Sequence, residues 1–341
     1  MRYRPTLMIA AILLLAAAVA DAQSVRLKIA TLAPDGSFWM EEARRAADEI
    51  GRRTDGRVGF RFYPGGTMGS DDTVLRKMRI GQLHGGVLLA GSLGDLDPDF
   101  EIYNFPLIFR SYDEVDHVRR ELDQRLISKL DDDGIVAFGL VETGFVYLMS
   151  TQPTRTFADL DGRKAWIPEG DAISKAIADA AGLSPVPLAL SDVLTGLQTG
   201  LIDTVAAPPV GAVALQWFTK AKYVTDLPLT YIYGTLVLSD RAFRKLGAED
   251  QGVVREALEN MSSELNRRAR TDNQEAREAL AKQGVTFVQP TPETEERWEE
   301  VAAEARQALI KRQEYDRELI AGMERILDEY RGRDHAALPD S

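Results

Sequence analysis

The 341-residue sequence contains no cysteine. That excludes disulfides, thiolate metal sites, a cysteine nucleophile and a lipid-modified N-terminal cysteine, so the fold has to stand on its core alone. Histidine is nearly absent as well: His84, His117 and His335 are scattered, with no HExxH or paired spacing, and no histidine metal site is expected. Cations are in deficit, 41 Lys and Arg against 53 Asp and Glu. Binding nucleic acid needs a basic footprint, so nucleic acid is excluded as a partner. No GxSxG, GxxxxGK[ST] or strand-borne GxGxxG occurs, and the carboxylate pairs Asp71 with Asp72 and Asp131 to Asp133 sit where helix caps and solvated faces are expected. No cofactor and no catalytic residue is assigned, and an enzyme is not expected. Long apolar runs are missing too, with one exception at the start.

That exception is the run of 14 residues from Leu7 to Ala20, behind Arg2 and Arg4 and ahead of the small triplet Ala20, Asp21, Ala22. It reads as a secretory signal peptide over residues 1–22, because a membrane anchor needs ~20 apolar residues. The remaining chain is longer than one core usually supports, so two lobes are expected. From Val25 the pattern alternates: VRLKIATL as strand, GSFWMEEARRAADEIGRRTDG with helical period, VGFRFYP as strand, a helix from Asp71, then GGVLLAG. A second series starts near Gly134 with IVAFGLVE, FVYLMS and RKAWIP as strands and helices over about 171–181 and 191–199. Alternation of this length predicts parallel-rich sheets flanked by helices. LTYIYGTLVLS reads as paired short strands about Gly234. Residues 248–283 carry a helical apolar stripe without proline, a rod of roughly 50 Å and longer than a lobe is wide. A last single helix is expected from Pro292 to about Tyr330, bracing the lobes, and residues 332–341 read as a loose tail. GGTMG, residues 65–69, reads as a tight turn rather than an anion site. The basic residues Arg44, Arg45, Arg52, Arg53, Arg76, Lys77 and Arg79 read as a solvated face, with docking to an acidic partner as the alternative.

Several runs then converge. PDGSFWMEEARRAADEIGRRTDGRVGFRFYPGGTMGSDDTVLRKMRIGQL and DLDGRKAWIPEGDAISKAIADAAGLSPVPLALSDVLTGLQTGLIDTVAAPPVGAVALQWF resemble the solute-binding subunits of tripartite ATP-independent periplasmic (TRAP) transporters, over nearly the whole chain. The resemblance implies an α/β fold like that of periplasmic binding proteins: two lobes around a ligand cleft, with a long helix spanning both. It implies lobe I over 23–142 and 234–270 and lobe II over 143–233 and 271–331. It also implies a periplasmic location and a membrane permease as partner. The run VLTGLQTGLIDTVAAPPVGAVALQWFTKAKYVTDLPL resembles the subgroup that works with a periplasmic tetratricopeptide-repeat protein, a second implied partner.

The departures from the family pattern carry the ligand reading. Where most of the family has an arginine in a pattern like LKGLKIRVP, LDGRKAWIP has Trp166; a second arginine position aligns with Val146, and an asparagine position with Ala207. A buried carboxylate without a charge partner costs several kcal/mol to desolvate. A cleft lined by Trp166, Val146 and Ala207 is therefore expected to take a small hydrophobic or amphipathic, fatty-acid-like or lipid-like solute. Ten methylenes at ~0.8 kcal/mol each reach about 8 kcal/mol, near a micromolar dissociation constant before costs. Other candidate lining residues are Phe38, Trp39, Leu89, Leu190, Pro208 and Trp217, with Tyr147 and Glu142 to orient a polar head. Phe38 and Trp39 read equally as lobe core, Trp217 equally as packing on its own helix, and Trp166 alternatively as a plug. The alternative ligand is a small organic acid held by backbone amides or a metal cation.

Overall fold

The computed structural model describes residues 24–312 and 314–337. The expected signal peptide lies outside the described residues, as do the last four residues of the expected tail; its first part is helical.

The first half is built as the alternation predicts. β1 (Val25–Ala30), α1 (Phe38–Arg53), β2 (Val58–Tyr63), α2 (Asp71–Arg79) and β3 (Gly85–Leu89) follow in order, with β1 parallel to both β2 and β3. Ser37 caps α1 by accepting from the Met40 amide. Gly65, Gly66 and Gly69, all at positive φ, make the turn before α2. A short helix α3 (Ala90–Leu93), the long α4 (Tyr112–Asp132) and β4 (Ile135–Ala137) complete this half.

β5 (Val141–Ser150) leads into the second half, which contains β6 (Trp166–Pro168), α5 (Ala172–Ala180), β7 (Val186–Leu188), α6 (Val193–Thr199), β8 (Thr204–Ala207) and α7 (Pro209–Ala214). β6 and β7 are parallel, and a bridge from Ala165 to Thr204 joins them to β8. The return is β9 (Tyr223–Ser239), then α8 (Asp240–Phe243), α9 (Ala248–Lys282), β10 (Thr286–Val288), α10 (Pro292–Arg312) and α11 (Arg317–Ala337).

Three expectations are corrected. The two paired short strands around Gly234 are one 17-residue strand, β9. Gly234 sits where β3 presses closest, and a Cβ there would stand 2.6 Å from the Leu88 carbonyl oxygen. The glycine marks a close approach between strands, not a turn. The second correction follows from the first. β9 pairs antiparallel with β3 and β4 toward one end and with β5 toward the other, so the two halves share one mixed sheet, with order β2-β1-β3-β9-β5-β8. Third, the expected terminal helix is two: α10 contacts α5 of the second half, whereas α11 contacts α4 of the first.

The expected rod is present as α9. Its first part, Val254, Leu258, Met261 and Leu265, belongs to a core with β1 and α1. Leu280, near its end, belongs to a second core with Trp166 and Trp217. α9 therefore crosses both halves.

Candidate functional site

The halves are joined at β5 and β9, and two asparagines of α9 hold β5 at that junction. Asn266 Oδ1 accepts from the Glu142 amide at 2.8 Å while its Nδ2 donates to the Leu140 carbonyl at 2.7 Å. Two turns on, Asn273 Nδ2 donates to the Thr143 carbonyl at 2.9 Å, and its Oδ1 accepts from the Val210 amide, at the start of α7, at 3.2 Å. Between them Arg270 donates to Glu142 and Asp116. Tyr231 of β9 donates its hydroxyl to Glu142 Oε2 at 3.1 Å and accepts from Arg119 of α4 at the same distance. Sequence reasoning missed this girdle. Its one sequence signal is asparagine inside a long helix, a residue type with poor helix preference that asks for another reason to be there. Glu142, expected to orient a ligand head, is instead spoken for by Arg270 and Tyr231.

The remaining sequence-named residues form two groups, with Val146 and Leu89 apart from them. Trp166, Ala207 and Trp217 share one core, with Tyr147 and Leu190 packed against it. The Trp166 indole meets Trp217 edge-on, centroids 5.1 Å apart, and donates its N–H to the Leu188 carbonyl at 3.0 Å. Trp166 is only 7% exposed. Pro208 follows Ala207 and caps α7. Tyr147 touches the cores of both halves. Its phenol is raised above the ordinary tyrosine value by burial, against the opposing pull of Arg277.

The second group lies elsewhere. Phe38 and Trp39 pack on the core that α1 shares with α9, where the Arg268 guanidinium carbon stands 4.0 Å from the Phe38 ring centroid. The structure does not bring them to Trp166. Val146 is buried in β5 opposite Thr230, beside a register shift at Tyr147. Leu89 stands apart from both groups, 38% exposed at the end of β3.

Leu89 opens onto the seam between the lobes. Its amide donates to Asp71 Oδ2 at 3.0 Å. A Cβ on Gly91 would stand 3.5 Å from Asp171 Oδ2, and one on Gly170 would stand 3.3 Å from Asp72 Oδ2. Carboxylates of the first half thus meet the start of α5 from the second. Burial pushes the Asp71 carboxyl up to about 7, with Asp72 adding to the rise and the Leu89 amide opposing it. Burial likewise raises Asp171. Among the described residues no group of three or more His, Cys, Asp or Glu is placed to hold a metal ion.

The basic face of α1 is largely committed within the chain: Arg44 pairs with Asp35, Arg45 with Glu42, and Arg53 with Glu49 and with Glu256 of α9. Among the described residues no helix is long and apolar enough to cross a membrane.

Two α/β lobes joined by shared strands, with a seam between them and a helix across both, make the two-lobed fold of periplasmic binding proteins. The family follows from the sequence: residues 29–313 match bacterial extracellular solute-binding protein, family 7, and the chain belongs to that family, the binding subunits of TRAP transporters. It is 27% identical over 265 residues to the C4-dicarboxylate-binding periplasmic protein DctP of Rhodobacter capsulatus, covering 76% of this chain and 78% of that one. A TRAP periplasmic solute-binding protein of Xanthobacter autotrophicus, solved with bound β-D-galacturonate, superposes with a TM-score of 0.80 at 21% identity, over 89% of this chain and 99% of that one. An extracytoplasmic solute receptor of Bordetella pertussis binding pyroglutamic acid gives 0.81 at 23%, over 90% and 100%. Proteins of this family are transport proteins that work with membrane permease subunits.

Proposed function

We propose that this TRAP solute-binding protein captures a hydrophobic or amphipathic solute between its lobes and hands it to the permease, with residues 1–22 as the signal peptide that exports it to the periplasm. The observation that carries the reading is Trp166. At the strand position where an organic acid would meet a cation, the chain places an indole whose N–H is already donated to Leu188 and whose face lies in an apolar core. The charge acting on Asp71 and Asp171 at the seam is the Asp72 carboxylate, while Arg76 and Arg79 act on the neighbouring Asp95. A carboxylate entering there would be desolvated without a partner and repelled. Leu89, Tyr147 and Leu190 keep part of their apolar surface exposed, while Val146, Ala207, Pro208, Phe38, Trp39 and Trp217 act through packing.

The lobes divide at the crossings of β5 and β9, near 142 and 234, with α11 going to the first lobe because it packs on α4. The tetratricopeptide-repeat partner belongs to this reading through the α6–β9 run that resembles that subgroup.

The second reading, a small organic acid, is favoured by relatives: DctP of Rhodobacter capsulatus is named for C4-dicarboxylates, and solved neighbours hold galacturonate and pyroglutamic acid. Mass spectrometry of what co-purifies with the mature protein separates the two. A stoichiometric lipid-like species, weakened in Trp166→Arg, is expected. A bound sugar acid or dicarboxylate, or Trp166→Arg binding as the parent does, would overturn the hydrophobic reading.

A further inference from the structure

The carboxylates at the seam ask which kind of polar head the solute carries. Asp71, the first residue of α2, is 4% exposed, and while its Oδ2 accepts from Leu89, its Oδ1 is buried with no hydrogen-bond partner. A buried acceptor left unmatched is destabilising, more so when ionised, so it points to a donor from outside the chain. The charge acting on Asp71 and on Asp171 is the neighbouring carboxylate of Asp72. Asp95 also feels Asp72, and Arg76 and Arg79 reach Asp95. Asp171 spends Oδ1 on the Ser174 amide and turns Oδ2 toward Gly91. Asp71 and Asp171 therefore reach the turn between β3 and α3 from two lobes, with Asp72 set against Gly170 at the start of α5, and Asp71 carries a buried oxygen that nothing satisfies.

What they would accept follows from their spacing. They do not form a group that could hold a metal ion. A compact ammonium makes fewer demands: it needs a few directed acceptors and a net negative field, and is content with carboxylates too far apart to chelate. Nearby Leu89 supplies exposed apolar surface, and Tyr147 links the cores of the two lobes.

We infer that the solute is an amphipathic amine whose ammonium end is received at the seam by Asp71 Oδ1, with Asp72 and Asp171 supplying the surrounding negative charge. The inference rests on the hydrophobic-solute reading and names the head group that reading leaves open. Because the acceptors come from both lobes, a bound ammonium draws them together, so recognition of the head and closure are one event.

The test is calorimetric titration of the mature protein with three probes of equal chain length, n-octylammonium, octan-1-ol and octanoate, with succinate and galacturonate alongside. Octylammonium is expected to bind at least tenfold tighter than octanoate, with octanol between. Asp71→Asn and Asp72→Asn should each cut that preference several-fold, with octylammonium affinity falling more than octanol affinity. Asp72 is only partly buried, so Asp72→Asn keeps the test alive should Asp71→Asn fold poorly. Octanoate binding as tightly as octylammonium, or an unchanged preference in both variants, would sink the head-group inference and leave the hydrophobic reading standing. Binding of succinate or galacturonate in place of all three probes, or heat from none of the five, would sink both.

Discussion

Asp71 shows how a single residue sets the response to pH. Its carboxyl is pushed up to about 7 by burial, and Glu101 is raised to about 7 by the same cause, with the Tyr315 hydroxyl opposing the rise and Asp171 and Asp95 adding to it. Both acids hold their protons in the folded chain across a window, roughly pH 4 to 7, in which the unfolded chain has released them. The folded state binds more protons there, so stability falls as pH rises through the window. Asp71→Asn removes one of these terms. It should leave the melting temperature nearly unchanged below about pH 4 and raise it progressively through the window, by up to about 10 °C at pH 8, on the scale of about 2–4 °C per kcal/mol for chains of this order. A thermal melt series on both proteins reads the difference; a variant less stable than the parent at pH 8 would mean that Asp71 is held ionised by a partner. From the sequence, Asp71 read as an ordinary helix cap. It is buried where the Leu89 amide at the end of β3 meets it, an approach that local pattern does not place.

At the scale of elements, the long helix acts as a clamp. Asn266 serves β5 as a neighbouring strand would, one acceptor and one donor to backbone groups two residues apart. Asn266→Ala leaves the Glu142 amide without this acceptor, while the Leu140 carbonyl keeps the Arg119 donor at 2.7 Å, and should cost about 1–2 kcal/mol. Asn266→Asp keeps the acceptor but sets a carboxylate oxygen against the Leu140 carbonyl, and should recover less than half. Urea unfolding of the three proteins measures this, and an Ala variant within about 0.5 kcal/mol of the parent would show that β5 is held without α9. The rod itself was legible, because an apolar stripe at helical spacing with no proline has one regular solution. Its partners were not: an amide side chain pairs with whatever backbone the tertiary fold presents.

For the whole molecule, the two lobes are coupled rather than strung together. β5, β9 and α9 each serve both, and α11 returns to pack on α4. Glu142, Arg270, Asp116, Tyr231 and Arg119 cross the junction as one network. The described chain should therefore unfold in one cooperative transition, with calorimetric and van't Hoff enthalpies in agreement. Arg270→Ala leaves the buried Glu142 carboxylate without its cation, with the Tyr231 hydroxyl still donating to it, and should cost about 2–3 kcal/mol while the transition stays single. Two resolved transitions in the parent would mean that the lobes fold independently and the junction is a linker.

The sequence by itself determined the α/β alternation, the long helix and the family, because each is written in local residue type and spacing. Only the tertiary structure decided that Gly234 lies inside a continuous strand, that Trp166 spends its N–H on Leu188 and its ring on Trp217, and that Asp71, Asp72 and Asp171 meet across the seam. These depend on which distant segments come within a few ångströms of each other. A residue's burial and its partners are properties of that approach, and no local pattern carries them.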